Sequence, residues 1–220
     1  MKITYEDVKN SPEIRTYITQ ADASLIALGF TEHSFAHVTK CAETASGLLR
    51  DLGYDDRQIE LAKIAGFMHD IGNVVNRHDH NVSGATMAFR ILDNMGMEPE
   101  DVAAVITAIG HHDDATAFPV NAIAAALILA DKTDVRRSRV RNRETINFDI
   151  HDRVNYAVER SEVSLDRDSK TFTLSLSINT EVCAVMDYFE IFLQRMLLCR
   201  KAAGFFGLTF KLDINGLTLL

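Results

Sequence analysis

Apolar residues recur at helical spacing over the first two-thirds of the chain. Ile14, Tyr17, Ile18, Ala21 and Leu25 form one stripe. It is entered through Ser11-Pro12-Glu13, the cap, first-turn proline and first-turn acid of a helix start, and can end at Gly29. Val38, Cys41, Ala42, Ala45, Leu48 and Leu49 form a second stripe, closed by Gly53. Asp55 with Gln58 resembles a capping box and opens a third helix through Ile59, Ala62 and Phe67 to His69. Residues 72–82 are polar and irregular and read as a loop. Ala85, Ala88, Phe89 and Leu92 mark a fourth helix; Val102, Val105, Ile106 and Ile109, after Pro99-Glu100-Asp101, mark a fifth. The sixth starts near Pro119 and is apolar on nearly every side until Asp131, which places it at the centre of a fold.

The period changes after residue 150. Phe172, Leu174, Leu176 and Ile178 alternate with Thr and Ser, as in a strand with one buried face, and Val163 and Leu165 across the polar turn 166–169 are the hairpin partner. Residues 181–202 read as a long helix. Phe206, Leu208, Phe210, Leu212 and Ile214 alternate again before Asn215-Gly216, a strong turn signal. The expected architecture is therefore mainly α: a helical domain over 1–150, then a small α+β subdomain over 151–220 with antiparallel strands packed on a long helix.

The chain has 220 residues, enough for a sizeable core, and 47% of them are hydrophobic, as in ordinary globular proteins. The net charge of −8 argues against general nucleic-acid binding, since a phosphate backbone repels an acidic surface. Cys41, Cys183 and Cys199 are odd in number and widely spaced, and read as reduced buried thiols of a cytoplasmic protein. The first residues lack the apolar core of a signal peptide, and the apolar run 122–130 is too short to span a bilayer, so no membrane partner is expected.

What changes the picture is a series of histidines and aspartates: His37, the pair His69-Asp70, His80, the pair His111-His112, and Asp131. Imidazole and carboxylate are ligands for hard or borderline divalent metals, and the series offers enough for two ions. Two cations can clamp both the attacking and the leaving oxygen of a phosphate ester or anhydride. Neighbouring side chains such as His69 and Asp70 can converge on one ion most easily at a helix end, and Gly72 lets the chain turn sharply there.

The ordered pieces His37-Val-Thr-Lys40-Cys-Ala, His69-Asp70-Ile-Gly-Asn73, His80-Asn-Val-Ser-Gly84-Ala85, His111-His112 and Leu129-Ala130-Asp131 resemble the HD superfamily of metal-dependent phosphohydrolases over roughly residues 30 to 135. The resemblance implies that His37, His69, Asp70 and Asp131 hold one metal. It implies that His80, His111 and His112 serve a second, with Asp70 bridging. Iron or manganese is what it implies for the metal, although the ligand types alone also admit zinc, nickel and cobalt. Asp70, His80 and His111 would then be catalytic in a hydrolysis by metal-activated hydroxide, the substrate being a phosphorylated small molecule or a nucleotide.

Asn73 stands where the family often has Lys, so it offers phosphate a hydrogen bond without charge. The Gly-Tyr-Pro motif of cyclic-di-nucleotide phosphodiesterases does not follow the His pair. His33 lies one helical turn before His37 and could line the site or replace it as ligand. The segment from Lys132 to Arg143 concentrates positive charge, and Arg136 or Arg137 is a candidate phosphate clamp. The rival expectation is a metal- or nucleotide-binding sensor that signals through the C-terminal sheet. An exposed edge strand could support a homodimer.

Overall fold

A computed structural model describes residues 2–114, 116–141 and 150–219. Two compact units divide between Asp131 and Lys132.

The secondary structure of the first unit is all helix among its described residues, with turns and loops between. α1 (Tyr5–Asn10) was not evident from the sequence; Thr4 and Asp7 close it with a reciprocal capping box. α2 (Pro12–Ala27) starts as expected, with Ser11 Oγ accepting from the Ile14 amide and proline in the first turn. α3 (Phe35–Asp51) and α4 (Asp56–Met68) carry the second and third stripes, and Asp55 caps α4 through the Gln58 amide, a bond worth about 1 kcal/mol. A short 3-10 helix, Ile71–Val74, and then α5 (His80–Asn94) occupy most of what reads in sequence as a loop. α6 (Pro99–Gly110) and α7 (Ala122–Lys132) follow. Residues 122–130 of α7 are all buried, as its all-round apolar sequence requires.

Two glycines set how closely these helices approach. A Cβ on Gly66 would meet Ala42 Cα at 2.7 Å, so α3 and α4 touch backbone to backbone below His37 and His69. A Cβ on Gly72 would stand 2.0 Å from the His80 carbonyl oxygen and 2.5 Å from the Gly84 nitrogen. Gly72 is thus required by contact with α5. It has no positive φ, so the sharp turn expected of it is not its reason for being glycine.

In the second unit α8 (Ile150–Ala157) precedes β1 (Val158–Asp166) and β2 (Thr171–Ile178), the expected hairpin, with Val163 opposite Leu174 and Leu165 opposite Phe172. α9 (Val185–Phe205) then returns the chain to β3 (Thr209–Ile214), which ends in the turn Asn215-Gly216, both at positive φ, and β4 (Leu217–Thr218). The sheet order is β1-β2-β3-β4. Its central pair is parallel, where an all-antiparallel sheet was expected, because α9 forms a crossover between β2 and β3. The register sets Phe172 beside Phe210, Leu174 beside Leu212 and Leu176 beside Ile214, three buried apolar rows on one face.

Candidate metal centre

Helix ends deliver the histidines. His69 is the C-cap of α4, His80 is the first residue of α5, and His112 lies two residues beyond α6. Each of the three rings is fixed in the same way. Nδ1 of His69 lies 2.8 Å from the Gly66 carbonyl, Nδ1 of His80 lies 3.0 Å from that of Arg77, and Nδ1 of His112 lies 2.6 Å from that of Ile109. The partner is always three residues back. A carbonyl can only accept, so in each neutral ring Nδ1 carries the proton and Nε2 is left as a lone pair. This is how a metal-binding imidazole is oriented by its outer hydrogen bond.

Those lone pairs converge. Nε2 of His80 and Nε2 of His112 are 3.2 Å apart. With both Nδ1 atoms protonated, neither ring can donate to the other, so a cation or a proton between them resolves the contact. Asp70 lies at the centre and divides its two oxygens. Oδ2 is 3.6 Å from His37 Nε2 and 3.3 Å from His69 Nε2, while Oδ1 is 3.5 Å from His80 Nε2. Asp131 Oδ1 closes the far side, 3.3 Å from His37 Nε2 and 3.8 Å from His69 Nε2. The rings stack edge to face along the series His37, His69, His112, His80, with centroids about 5 Å apart.

His37, His69, Asp70, His80 and His112 are all at most 5% exposed. Within this buried group, His69 Nε2 and Asp70 Oδ2 make no hydrogen bond among the described residues. They face each other at ion-pair distance only. A buried acceptor left so costs on the order of 1–3 kcal/mol, and a carboxylate oxygen more, unless a proton or a metal fills the gap. The ligand atoms of His37, Cys41, His69 and Asp131, and those of His69, Asp70 and His112, each lie within 4.8 Å of one another.

The electrostatics agree. Burial opposes a charge on His69, but the Asp70 and Asp131 carboxylates outweigh it and raise its pKa. Burial likewise opposes ionisation of Asp70, yet His69, with His33 and His80 nearby, holds its pKa well below the usual carboxylate range. His80 goes the other way: burial, helped by the Arg77 guanidinium, keeps it neutral. The cluster thus retains its carboxylate charge and attracts one positive charge to the position between His69 and Asp70.

The other sequence-predicted residues fall as follows. His111 joins neither ligand group. It is the C-cap of α6, and of the pair it is His112 that shares a ligand group with His69 and Asp70. Asn73 gives both amide hydrogens to Asp70, at 2.9 Å to its carbonyl and 2.9 Å to Oδ1. It therefore orients the Asp70 carboxylate, where a phosphate donor was expected. His33 precedes α3 and is not in it, because Ser34 is the N-cap. Its ring packs against His37 at 5.4 Å, lining the site beside the ligand group without replacing His37. His78 is 85% exposed and paired with Asp79, which removes it as a competitor to His80.

Arg136 and Arg137 belong to the second unit. Arg136 pairs with Asp134 at 2.9 Å and donates to Ser138. Arg137 donates to the Tyr156 carbonyl at 2.6 Å and lies over the Tyr156 ring. Positions 142 and 143 of that basic stretch lie outside the described residues.

Three residues near the cluster escaped the sequence reading. Cys41, one helical turn after His37, places Sγ 3.7 Å from His37 Nδ1. Asp113 Oδ1 is 3.9 Å from His80 Nε2. Arg77 Nη1 is 3.4 Å from the same atom. For Cys41 the i, i+4 spacing from His37 was the available signal. For Arg77 it was the position three residues before a candidate ligand, the spacing all three carbonyl partners share.

Comparison with known proteins agrees with this geometry. An uncharacterized protein of Methanocaldococcus jannaschii is 23% identical over 203 residues, spanning 82% of this chain and 78% of the relative. The family model of the HD domain matches residues 34–190. That match covers more than half of the chain and includes every residue of the buried cluster, so the protein is a member of the HD domain family.

Proposed function

We propose that the protein is a metal-dependent phosphohydrolase that cleaves a phosphate ester or anhydride, with nucleotides the first substrates to try. The observation that carries this reading is the pair of buried atoms, His69 Nε2 and Asp70 Oδ2, aimed at each other without a hydrogen bond inside a ring of oriented imidazoles. HD domains bind divalent metals, and this donor set fits one. His37, His69, Asp131 and Asp70 Oδ2 would hold one ion; His80, His112 and Asp70 Oδ1 would hold a second. Iron or manganese suits these nitrogen and oxygen donors. When bound, such ions supply Lewis acidity and bring the pKa of a water towards neutrality.

The chain's own residues do the rest. Asn73 fixes the Asp70 carboxylate so that both oxygens face imidazoles, and the three backbone carbonyls keep the lone pairs of His69, His80 and His112 directed inward. Near-complete burial limits bulk water around these groups, which strengthens every charge interaction at the reacting phosphoryl group.

The test is the Asp70→Ala chain beside the unaltered one, assayed with manganese on a panel of phosphomonoesters, phosphodiesters and nucleotides. Turnover of at least one substrate is expected from the unaltered protein and none above background from the variant. Equal turnover by both would overturn the proposal. Strong thermal stabilisation by manganese without hydrolysis of any substrate would assign the cluster to a metal-binding sensor instead.

A further inference from the structure

Arg77 belongs to neither the ligand group nor the packed core. Its side chain is 28% exposed, next to groups that are almost fully buried. It stands two residues before Asp79, whose left-handed backbone (φ 55°) turns the chain into α5. One guanidinium nitrogen points into the site. Nη1 is 3.2 Å from Asn73 Oδ1, 3.4 Å from His80 Nε2 and 4.0 Å from Asp70 Oδ1. The guanidinium carbon lies 5.6 Å from the centroid of the Phe30 ring, which is itself 42% exposed. Nε and Nη2 make no hydrogen bond or ion pair with any described residue.

The Nε and Nη2 side of a guanidinium is an edge that grips two oxygens of one phosphate in parallel. Here that edge carries no protein partner among the described residues, while Nη1 and the Phe30 ring hold the plane at two points. A group fixed in this way loses little side-chain entropy when it takes up a ligand. Asp70, Asp113 and Asp131 gather around the histidines, and a guanidinium beside them adds to the positive charge that metal ions would offer an approaching phosphate dianion. Asn73 cannot help, since both its donors are committed to Asp70.

Resting on the phosphohydrolase reading, we infer that Arg77 binds the phosphoryl group of the substrate through its Nε and Nη2 edge and holds it at the Asp70 cluster. Arg77 is then a substrate-binding residue. Its positive charge comes from the segment before α5, four residues beyond Asn73.

The experiment compares the manganese-loaded full chain with Arg77→Ala and Arg77→Lys, measuring metal per chain by elemental analysis and the Kd of inorganic phosphate by calorimetry. Arg77→Ala is expected to keep the metal content of the unaltered chain and to bind phosphate roughly 10- to 100-fold more weakly, the loss of charge-assisted hydrogen bonds. Arg77→Lys keeps the charge without the fork and is expected to fall between the two. KM for any hydrolysed ester should rise in the same order. An unchanged phosphate Kd in Arg77→Ala would overturn the inference and leave the phosphohydrolase reading standing. Loss of metal from both variants would also overturn it, by assigning Arg77 to holding Asp70 and His80. If Arg77→Ala alone sheds metal, Arg77→Lys decides: a weaker Kd supports the inference and an unchanged one overturns it. An unaltered chain that takes up manganese yet binds no phosphate would overturn the phosphohydrolase reading itself, and this inference with it.

Discussion

Asp70 and Asp134 are both carboxylates withdrawn from solvent, one in each unit, and they are neutralised in opposite ways. Asp134, whose side chain is 0% exposed, meets two guanidiniums: Arg136 at 2.9 Å and Arg139 at 3.7 Å, with Arg139 also donating to the Asp134 carbonyl. Arginine does not give up its proton, so this cluster is complete as built. Asp70 meets imidazoles, which can be neutral, with a single guanidinium, that of Arg77, only at 4.0 Å, and it keeps one oxygen without a hydrogen bond. A buried charge closed by fixed cations holds a fold together. One surrounded by lone pairs is arranged for a cation from outside.

The largest effect expected from breaking that contrast is on stability. Asp134→Ala removes a fully buried carboxylate that meets both Arg136 and Arg139 and should destabilise the protein by about 3–5 kcal/mol in denaturant unfolding. Asp70→Ala in the metal-free protein should cost less, because His69 can shed its proton where Arg139 cannot. If Asp70→Ala proved the more damaging of the two without metal, the distinction between a structural and a cation-accepting cluster would fail.

A smaller effect is expected at the glycines. Gly72→Ala forces a Cβ into the His80 and Gly84 backbone and should destabilise by about 1–3 kcal/mol, displacing His80 and weakening metal uptake. Gly47, in α3, is the control, because a Cβ added there would meet nothing within 4 Å. There the same change should leave metal uptake intact and stabilise by roughly 0.5–1 kcal/mol, through helix propensity. Thermal melts with and without manganese read both.

Much of this was legible in the chain. Helix period, caps at Ser11 and Asp55, and the alternation at 172–178 located most elements, because each reflects local chemistry. The order of His37, His69-Asp70, His80 and Asp131 pointed to one site for the same reason, since family spacing records which helix ends meet. What escaped depended on tertiary contact. Nothing local distinguishes His111 from His112; that choice is made by how α6 ends and by the Ile109 carbonyl. Parallel pairing of β2 and β3 follows from the path of α9, and alternation is the same in either direction. Asn73 was expected to donate to phosphate, but it is close enough to Asp70 to spend its donors there. The basic stretch after Asp131 reads as a clamp by charge alone; among the described residues Arg136 pairs with Asp134, and Arg137 donates to the Tyr156 carbonyl.

Elemental analysis of the full chain, after incubation with manganese or iron(II) and removal of excess, tests the metal centre most directly. Two ions per chain are expected, since the two oxygens of Asp70 face separate imidazole sets. One ion would remove His80 and His112 from the ligand set. A chain that takes up no metal at all would contradict the metal centre and the hydrolysis proposed for it.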